Sequence, residues 1–308
     1  MSRLFIAART NPDRWADLFR AELPDHEVVT TVPDDGAPTP FVVVGIPPAG
    51  LLARLVGLEV VLSMNAGVEH LLASGEVPPT VPIVRMVDPG LVDDMVEWVA
   101  ARVLAWHRNL FAYRDQQAER RWAQRPERLA RERKATVLGA GELGRPVAAM
   151  LATLGFQTRA WSRSGRAVAG IETFAGRDGL AAAVEGADIL VNLLPATAET
   201  ADLIDAALLA RMAPGGLFVN GGRGAAVVEA DLLAALDGGQ LDAAALDVFR
   251  GEPLADDHPF WTHPRVWVTP HVAAITHPHT SVAIMAENVR RFERGEPLPN
   301  LVDRAQGY

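Results

Sequence analysis

Three glycines near the middle of the chain stand between an apolar run and a helical pattern. The run is residues 135–138, and Gly139, Gly141 and Gly144 follow it before apolar residues recur at helical spacing. The first glycine permits a tight turn, the second lets the backbone approach a ligand, and the third lets helix and strand pack closely. The free N–H groups of such a helix face a phosphate. The stretch therefore predicts a strand–turn–helix unit that holds the pyrophosphate of a dinucleotide.

Short apolar strands alternate with helical patterns along the whole chain, which is typical of parallel α/β sheets. A long helical pattern covers residues 92–113, and 308 residues favour two domains over one core. The predicted fold has two doubly wound parallel-sheet domains. A dinucleotide-binding (Rossmann) domain, residues 98–276, is inserted in a flavodoxin-like substrate domain, residues 1–97 and 277–308. The strands predicted from the glycine turn onward are residues 135–138, 158–161, 189–193, 217–220, 243–247 and 266–269.

Composition excludes several classes of function. The formal charge of −9 argues against nucleic acid or an anionic membrane as a partner. No apolar run reaches the ~18 residues that a membrane-spanning helix needs. The chain has no cysteine, which excludes disulfides and thiolate metal sites, and we predict no metal site. The N-terminal stretch MSRLFIAART lacks the features of a signal peptide, which predicts a cytoplasmic protein.

The second strand after the glycine turn ends in Ser162-Arg163-Ser164, where an acidic residue is common. An acid at this point binds the adenosine ribose 2′-hydroxyl and repels a 2′-phosphate, whereas an Arg and two Ser can bind that phosphate. The pattern predicts NADP(H) as the preferred cofactor, with NAD(H) possible. The alternative is that Arg163 simply points into solvent.

Three later strand ends carry polar residues suited to reducing a 2-keto acid. Arg223 follows the strand that ends at Asn220, Glu252 follows the next strand, and His271 follows the last. Carboxyl ends of parallel strands meet at one crevice, so these side chains are expected to converge. A His suits proton transfer, an adjacent Glu favours the imidazolium, and an Arg fork binds a carboxylate. Taken singly, Arg223 could cap a helix and Glu252 could be a turn acid.

These motifs together resemble the D-2-hydroxyacid dehydrogenase family over essentially the whole chain. The stretches that carry the resemblance are Gly139-x-Gly141-x-x-Gly144, Asn220…Arg223-Gly224, Asp247-Val248-Phe249…Glu252-Pro253-Leu254 and Thr269-Pro270-His271. The ending VDRAQGY and the stretch TPHVAAIT resemble the glyoxylate/hydroxypyruvate reductase A-like branch. The resemblance implies an NADPH-dependent reductase of a small 2-keto acid, with the 2-hydroxy acid as its product.

The resemblance also implies roles for individual residues. Arg223, Glu252 and His271 would be catalytic, and Ala66, Gly67, Arg223 and His271 would bind substrate. Asp247 would face the nicotinamide carboxamide. A homodimer joined through the dinucleotide domain and an arm around residues 100–130 is expected. The implied cofactor contacts are Gly139, Gly141, Glu142, Leu143, Gly144, Ser162, Arg163, Ser164, Leu194, Pro195, Asn220, Gly221, Asp247, His271 and Ala273.

One departure from the branch, and two other functions on the same fold, leave alternatives open. Ile46-Pro47-Pro48 stands where that branch tends to carry a Trp near the pocket, which allows a different or larger 2-keto acid. An NAD(P)-binding regulatory protein would tolerate loss of the catalytic residues, yet all three are present. Oxidation of formate or phosphite would need further side chains that the sequence does not reveal.

Overall fold

A computed structural model describes residues 2–307 and divides into two α/β units. The central unit is Val92–Ala274, and the terminal unit contains the residues up to Leu91 and those from Ile275 onward. The sequence prediction placed these divisions after residues 97 and 276. No helix among the described residues has the length and apolar character needed to cross a membrane.

The helices and strands follow one another in the alternating order predicted from the sequence. The helices are α1 (Pro12–Glu22), α2 (Glu69–Ser74), α3 (Pro89–His107), α4 (Leu110–Ala118), α5 (Gly144–Thr153), α6 (Gly176–Val184), α7 (Ala206–Leu209), α8 (Glu229–Asp237) and α9 (Pro278–Glu293). The strands are β1 (Arg3–Ala7), β2 (Glu27–Val29), β3 (Phe41–Val44), β4 (Val60–Ser63), β5 (Ile83–Val84), β6 (Lys134–Leu138), β7 (Gln157–Ser162), β8 (Glu172–Ala175), β9 (Ile189–Asn192), β10 (Gly216–Asn220), β11 (Leu241–Leu246) and β12 (Val266–Val268).

The terminal unit is built on a five-stranded parallel sheet in the order β2-β1-β3-β4-β5. Every residue of β3 and β4 is buried, as expected for parallel strands that are covered on both faces. Helices α1 and α9 pack together. The C-terminal stretch is tied to the sheet by a bridge between Val84 and Leu301.

The central unit is a seven-stranded parallel sheet in the order β12-β11-β10-β9-β6-β7-β8. Alternate residues along its strands supply two separate cores, so that Leu138 and Leu190 pack on one face while Val137 and Val191 pack on the other. The chain runs outward from β6 through β7 and β8, then returns to β9 on the other side of β6. The carboxyl ends of β6 and β9 therefore mark the switch point where such sheets bind ligands.

Two elements differ from the sequence prediction. The seventh strand, β8, was not predicted because its residues are exposed or half-buried and show no apolar run. The long helical pattern of residues 92–113 was predicted as one helix, but it is broken into α3 and α4. The break lies at Asn109, which has a left-handed backbone with φ of 56°. Asn tolerates this conformation better than most residues, so it can end one helix and begin the next.

Candidate active site

The glycine turn follows β6 and is shaped by two close backbone approaches. A Cβ on Gly139, whose φ is +101°, would lie 2.8 Å from the Leu193 carbonyl oxygen. A Cβ on Gly144 would lie 1.8 Å from the Gly139 carbonyl oxygen. A Cβ on Gly141 would meet nothing within 4 Å, so the turn is open above this residue. Helix α5 then begins without a side-chain cap from Leu143, and the Arg145 N–H in its first turn donates to the Gly141 carbonyl at 3.1 Å. The turn fits a pyrophosphate group.

Two buried asparagines hold the loops on the far side of this turn. Asn192 ends β9 and donates from Nδ2 to Oδ1 of Asn220, at 2.9 Å, while its own Oδ1 accepts from the Leu194 N–H at 3.3 Å. The Asn220 oxygen also accepts from the Gly222 N–H at 3.2 Å. The pair fixes the loops that carry the predicted residues Leu194, Pro195 and Gly221. Asn192 was missed, although a polar residue that ends the apolar run ILVN was a signal for it.

The end of β7 forms a small turn with two arginines. Ser162 accepts from the Gly165 N–H through its carbonyl and from the Arg166 N–H through Oγ, at 3.3 and 3.2 Å. Arg163 lies 3.4 Å from Glu199, and Arg166 lies 3.5 Å from Glu142. Both arginine side chains are about half exposed, and such solvent-screened pairs are weak.

This turn, which includes the exposed Ser164, matches the position predicted to select the cofactor. The sequence did not indicate Arg166, because only the folded turn brings its backbone next to the Ser162 hydroxyl. Glu142 also binds Arg145 at 2.8 Å, so an acidic residue of the glycine turn is shared between two arginines.

His271 and Glu252 form a close pair beyond the carboxyl ends of β12 and β11. The His271 Nδ1 lies 2.6 Å from Glu252 Oε2, and the other Glu252 oxygen accepts from the Phe249 N–H at 3.0 Å. Half of the His271 side chain is exposed, against about a third of Glu252. A carboxylate held on Nδ1 fixes the ring and leaves Nε2 as the nitrogen that can exchange a proton with a ligand.

Arg223 stands on the turn after β10, close to the backbone after β11. A Cβ on Gly224 would lie 1.9 Å from the Phe249 carbonyl carbon, so only a glycine lets the two turns touch. The Arg223 Nη1 donates to the Gly222 carbonyl at 2.8 Å. The three predicted catalytic residues therefore lie on three neighbouring strand ends, β10, β11 and β12, as the sequence indicated.

Asp247, which the resemblance places against the nicotinamide carboxamide, is anchored at the end of β11 by several hydrogen bonds. Its side chain is buried, and its two carboxylate oxygens accept from Thr269 Oγ1 and from the N–H groups of Val272 and Ala273. These partners belong to the loop that carries His271. Within residues 2–307 no group of three or more His, Cys, Asp or Glu side chains is arranged to hold a metal ion.

The terminal unit carries the other predicted substrate-binding turn, residues 65–68 after β4. The Ser63 hydroxyl bonds both the N–H and the carbonyl of Asn65, each at 3.0 Å, and the Met86 N–H donates to the same carbonyl at 3.1 Å. The Thr276 hydroxyl donates to the carbonyl of Met64. The backbone before Ala66 and Gly67 is thus held from three sides.

A doubly wound sheet with this glycine turn, together with a His–Glu pair at its strand ends, defines a nicotinamide-dependent oxidoreductase. The family model described as "D-isomer specific 2-hydroxyacid dehydrogenase, NAD binding domain" matches residues 100–273, and the chain belongs to this family.

Several known proteins resemble the whole chain. A glyoxylate/hydroxypyruvate reductase A from Serratia proteamaculans is 38% identical, with 100% of both chains covered. A D-isomer specific 2-hydroxyacid dehydrogenase from Xanthobacter autotrophicus, solved with NADPH and MES, is 37% identical with a TM-score of 0.94, covering 100% of this chain and 99% of that one. An NADPH-dependent glyoxylate/hydroxypyruvate reductase from Sinorhizobium meliloti, solved with NADP and sulfate, is 35% identical with a TM-score of 0.94 and covers both chains fully.

Proposed function

We propose that this protein reduces a small 2-keto acid, such as glyoxylate or hydroxypyruvate, to the 2-hydroxy acid with NADPH. The observation that carries the proposal is the 2.6 Å contact between His271 and Glu252 at the strand ends of a dinucleotide-binding sheet. An imidazole whose Nδ1 is held by a carboxylate can donate a proton from Nε2 to a substrate oxygen. Relatives that match the full chain are named as reductases of these two acids.

Each residue of the catalytic site has a distinct role in this reaction. The glycine turn would hold NADPH, which would supply the hydride that reduces the carbonyl carbon of the 2-keto acid. His271 donates the proton from Nε2 to the carbonyl oxygen, so that an alcohol forms. Glu252 holds the ring through Nδ1, so that Nε2 is the nitrogen left to donate the proton. Arg223 binds the substrate carboxylate with its planar fork and polarises the carbonyl.

The terminal unit offers a second group of carboxylate donors. The N–H groups of Ala66 and Gly67 face no hydrogen-bond acceptor within the described residues, and the preceding backbone is held in place. Free N–H groups on a fixed turn can bind an anion without reorganisation. These two residues are therefore proposed to bind the substrate carboxylate.

The cofactor preference follows from the turn after β7. Ser162, Arg163 and Ser164, together with Arg166, bring hydroxyls and positive charge to this turn, where a 2′-phosphate would bind. Relatives were solved with NADPH or NADP. NADH lacks the phosphate and is proposed as the poorer cofactor. The pyrophosphate would lie over Gly141 and the start of α5, with the neighbouring contacts from Glu142, Leu143, Leu194, Pro195, Asn220, Gly221 and Ala273.

A larger 2-keto acid is a second candidate substrate. Ile46 follows β3 and is 54% exposed, which is high for an aliphatic side chain of this size. An aliphatic surface beside the carboxyl ends of these strands favours a substrate with an apolar substituent.

The same proposal includes a homodimer in the cytoplasm. Residues 119–129 form no helix or strand, and Trp122 within them is 100% exposed. Leu110, at the start of the preceding helix α4, and Leu129, at the end of this segment, are 56% and 50% exposed. Apolar side chains that are exposed together on one segment indicate a surface that a second copy covers. A dissociable nicotinamide cofactor is a metabolite of the cell interior, which supports the location.

The test follows the loss of NADPH absorbance with a panel of 2-keto acids, ranked by kcat/KM. Glyoxylate and hydroxypyruvate should be reduced, and His271→Asn should keep NADPH affinity while turnover falls by about 10²–10⁴-fold. The matched control is His279→Gln, an exposed histidine outside the strand ends, which should behave as the parent. A parent protein that binds NADPH and reduces no 2-keto acid would refute the proposal and favour a regulatory role.

A further inference from the structure

The backbone of His271 has a conformation that must be imposed by its surroundings. Its φ is 55°, in the left-handed region that costs a residue with a Cβ about 1 kcal/mol or more. Its N–H donates to the carbonyl of Asp247 at 2.9 Å and to that of Thr269 at 3.1 Å. Both bonds are made by the N–H of His271, so they fix only the backbone that enters this residue. The backbone that follows it needs other partners.

The carboxylate of Asp247 holds both sides of the turn. Oδ1 accepts from the Thr269 hydroxyl at 2.6 Å and from the Val272 N–H at 2.9 Å, while Oδ2 accepts from the Ala273 N–H at 2.8 Å. Asp247 is 1% exposed. A buried charge is tolerated only with such partners, and its bonds are stronger than those between neutral groups.

A tryptophan from another element completes the network. The Trp98 Nε1, on α3, donates to the Thr269 Oγ1 at 3.2 Å. The Thr269 hydroxyl has one proton, which goes to Asp247, so the Trp98 N–H takes an acceptor position and fixes the orientation of the hydroxyl. Helix α3 is packed in the core of the same sheet through Val99 and Val103. The turn that carries His271 is thus tied to the packed helix α3.

We propose that Asp247, Thr269 and Trp98 are positioning residues that hold His271 in register for proton transfer. The inference rests on the proposed function, because it assumes that His271 is the proton donor. Two carboxylates from the end of β11 then act on one histidine, Glu252 through the ring and Asp247 through the backbone. A misplacement of about 1 Å can cost a reaction about 10²-fold, so the backbone anchor affects turnover rather than binding.

The experiment removes the hydroxyl of Thr269 with little change of shape. Thr269→Val should lower kcat by about 10- to 100-fold, with NADPH affinity unchanged and KM for the keto acid changed little. Thr269→Ser retains the hydroxyl and should restore most of kcat. Trp98→Phe removes only the indole N–H and should lower kcat by about threefold, through one lost hydrogen bond. Thr262→Val, at an exposed threonine, is the matched control and should equal the parent.

Melting curves and the His271 ring separate positioning from a merely structural role. Thr269→Val with a lower Tm and the parent's kcat would overturn the proposal, as would a Ser variant as slow as the Val variant. The ¹⁵N spectrum of the His271 ring, recorded without substrate, should show one tautomer in the parent and an averaged signal in Thr269→Val. If the parent reduces no 2-keto acid but the ring signals differ in this way, the proposed function fails and the positioning role stands. Ring signals and a kcat that are both unchanged in Thr269→Val would refute the positioning role.

Discussion

Arg223 is the residue whose proposed role makes the most specific demand on the substrate. It lies between Gly222 and Gly224, two buried glycines that pack against neighbouring backbone, and its guanidinium donates a hydrogen bond to the Gly222 carbonyl. Arg223→Lys keeps the charge and loses the fork, so it should raise KM and lower kcat together. The expected loss in kcat/KM is about tenfold or more, since one hydrogen bond to a charged group contributes ~1.5–3 kcal/mol.

A pair of substrates tests what Arg223 recognises. A 2-keto amide lacks the carboxylate, and should be both a poor substrate of the parent and insensitive to the Lys substitution. Steady-state kinetics with the acid and the amide, for both proteins, gives the comparison. An equal fractional loss for acid and amide would show that the arginine does not bind the carboxylate.

For single residues, the sequence predicted that the three proposed catalytic residues lie at neighbouring strand ends, but not all the residues that hold them there. Arg223, Glu252 and His271 follow apolar strands, and the rule that parallel strands share a carboxyl edge brings them together. Asp247 is different, because its partners lie 22 to 26 residues further along the chain, and no local pattern marks a hydrogen bond of that span. Arg166 is different again, because it lies only four residues from Ser162 and the folded turn brings the two together.

The turn after β7 is the element that should decide between the cofactors. We expect NADPH to be preferred over NADH by at least ~10-fold in kcat/KM, which corresponds to ~1.4 kcal/mol. Ser162→Asp should reverse the preference, because a carboxylate repels the 2′-phosphate. Arg166→Ala should reduce the preference without abolishing it, since Arg163 remains.

Kinetics with both cofactors measure this, and Arg211→Ala is the control. Arg211 pairs with Glu185, away from the turn, and its loss should leave the ratio between cofactors unaltered. Equal use of NADPH and NADH by the parent would contradict the assignment of the turn.

The end of α3 carries a histidine that should make the stability of the central unit depend on pH. Burial lowers the pKa of the His107 ring, and the nearby charges of Arg133 and Arg108 lower it further. The unfolded chain therefore takes up this proton more readily than the folded one. The contribution of His107 to the free energy of unfolding is fully present above the ordinary His pKa of ~6.5, and it is lost as the pH falls below that value.

Replacing this ring tests the sign of the effect. The free energy of unfolding should fall less steeply with acidification in His107→Gln than in the parent, measured between about pH 5 and 8. His279→Gln, at an exposed ring, should retain the parent's slope. A His107→Gln slope identical to the parent's would show that the buried ring does not couple folding to protons.

Elements with buried apolar runs were predictable, and those without them were not. Strands β9 and β10 are entirely buried and were read from their sequences with near-correct ends. Strand β8 is half-exposed at the sheet edge, where pairing with β7 rather than burial defines it. The break between α3 and α4 depends on the left-handed backbone of Asn109, which the spacing of apolar residues does not reveal.

At the scale of the whole molecule, the exposed arm predicts self-association. Trp122→Ala should weaken the dimer, because burial of a large aromatic side chain contributes about 1.5–3 kcal/mol or more. Sedimentation over a range of protein concentrations measures the shift. Trp261→Ala, at a half-exposed tryptophan outside the arm, should leave the association unchanged. A parent protein that is monomeric at all concentrations would contradict the proposed dimer.

If Arg163 has its proposed role, its contact with Glu199 makes NADPH binding an exchange of one anion for another. The arginine already has an anion beside it, so a 2′-phosphate must displace a carboxylate rather than enter an empty place. NADH makes no such demand and leaves the pair as it is. Glu199 would then act as an internal competitor that lowers the affinity for NADPH alone. Glu199→Gln should tighten NADPH binding, leave NADH binding unaltered, and so widen the gap between the two cofactors. Fluorescence titrations of the parent and Glu199→Gln with both cofactors would measure these affinities. A tighter complex with NADPH in the variant would show that Glu199 weakens cofactor binding.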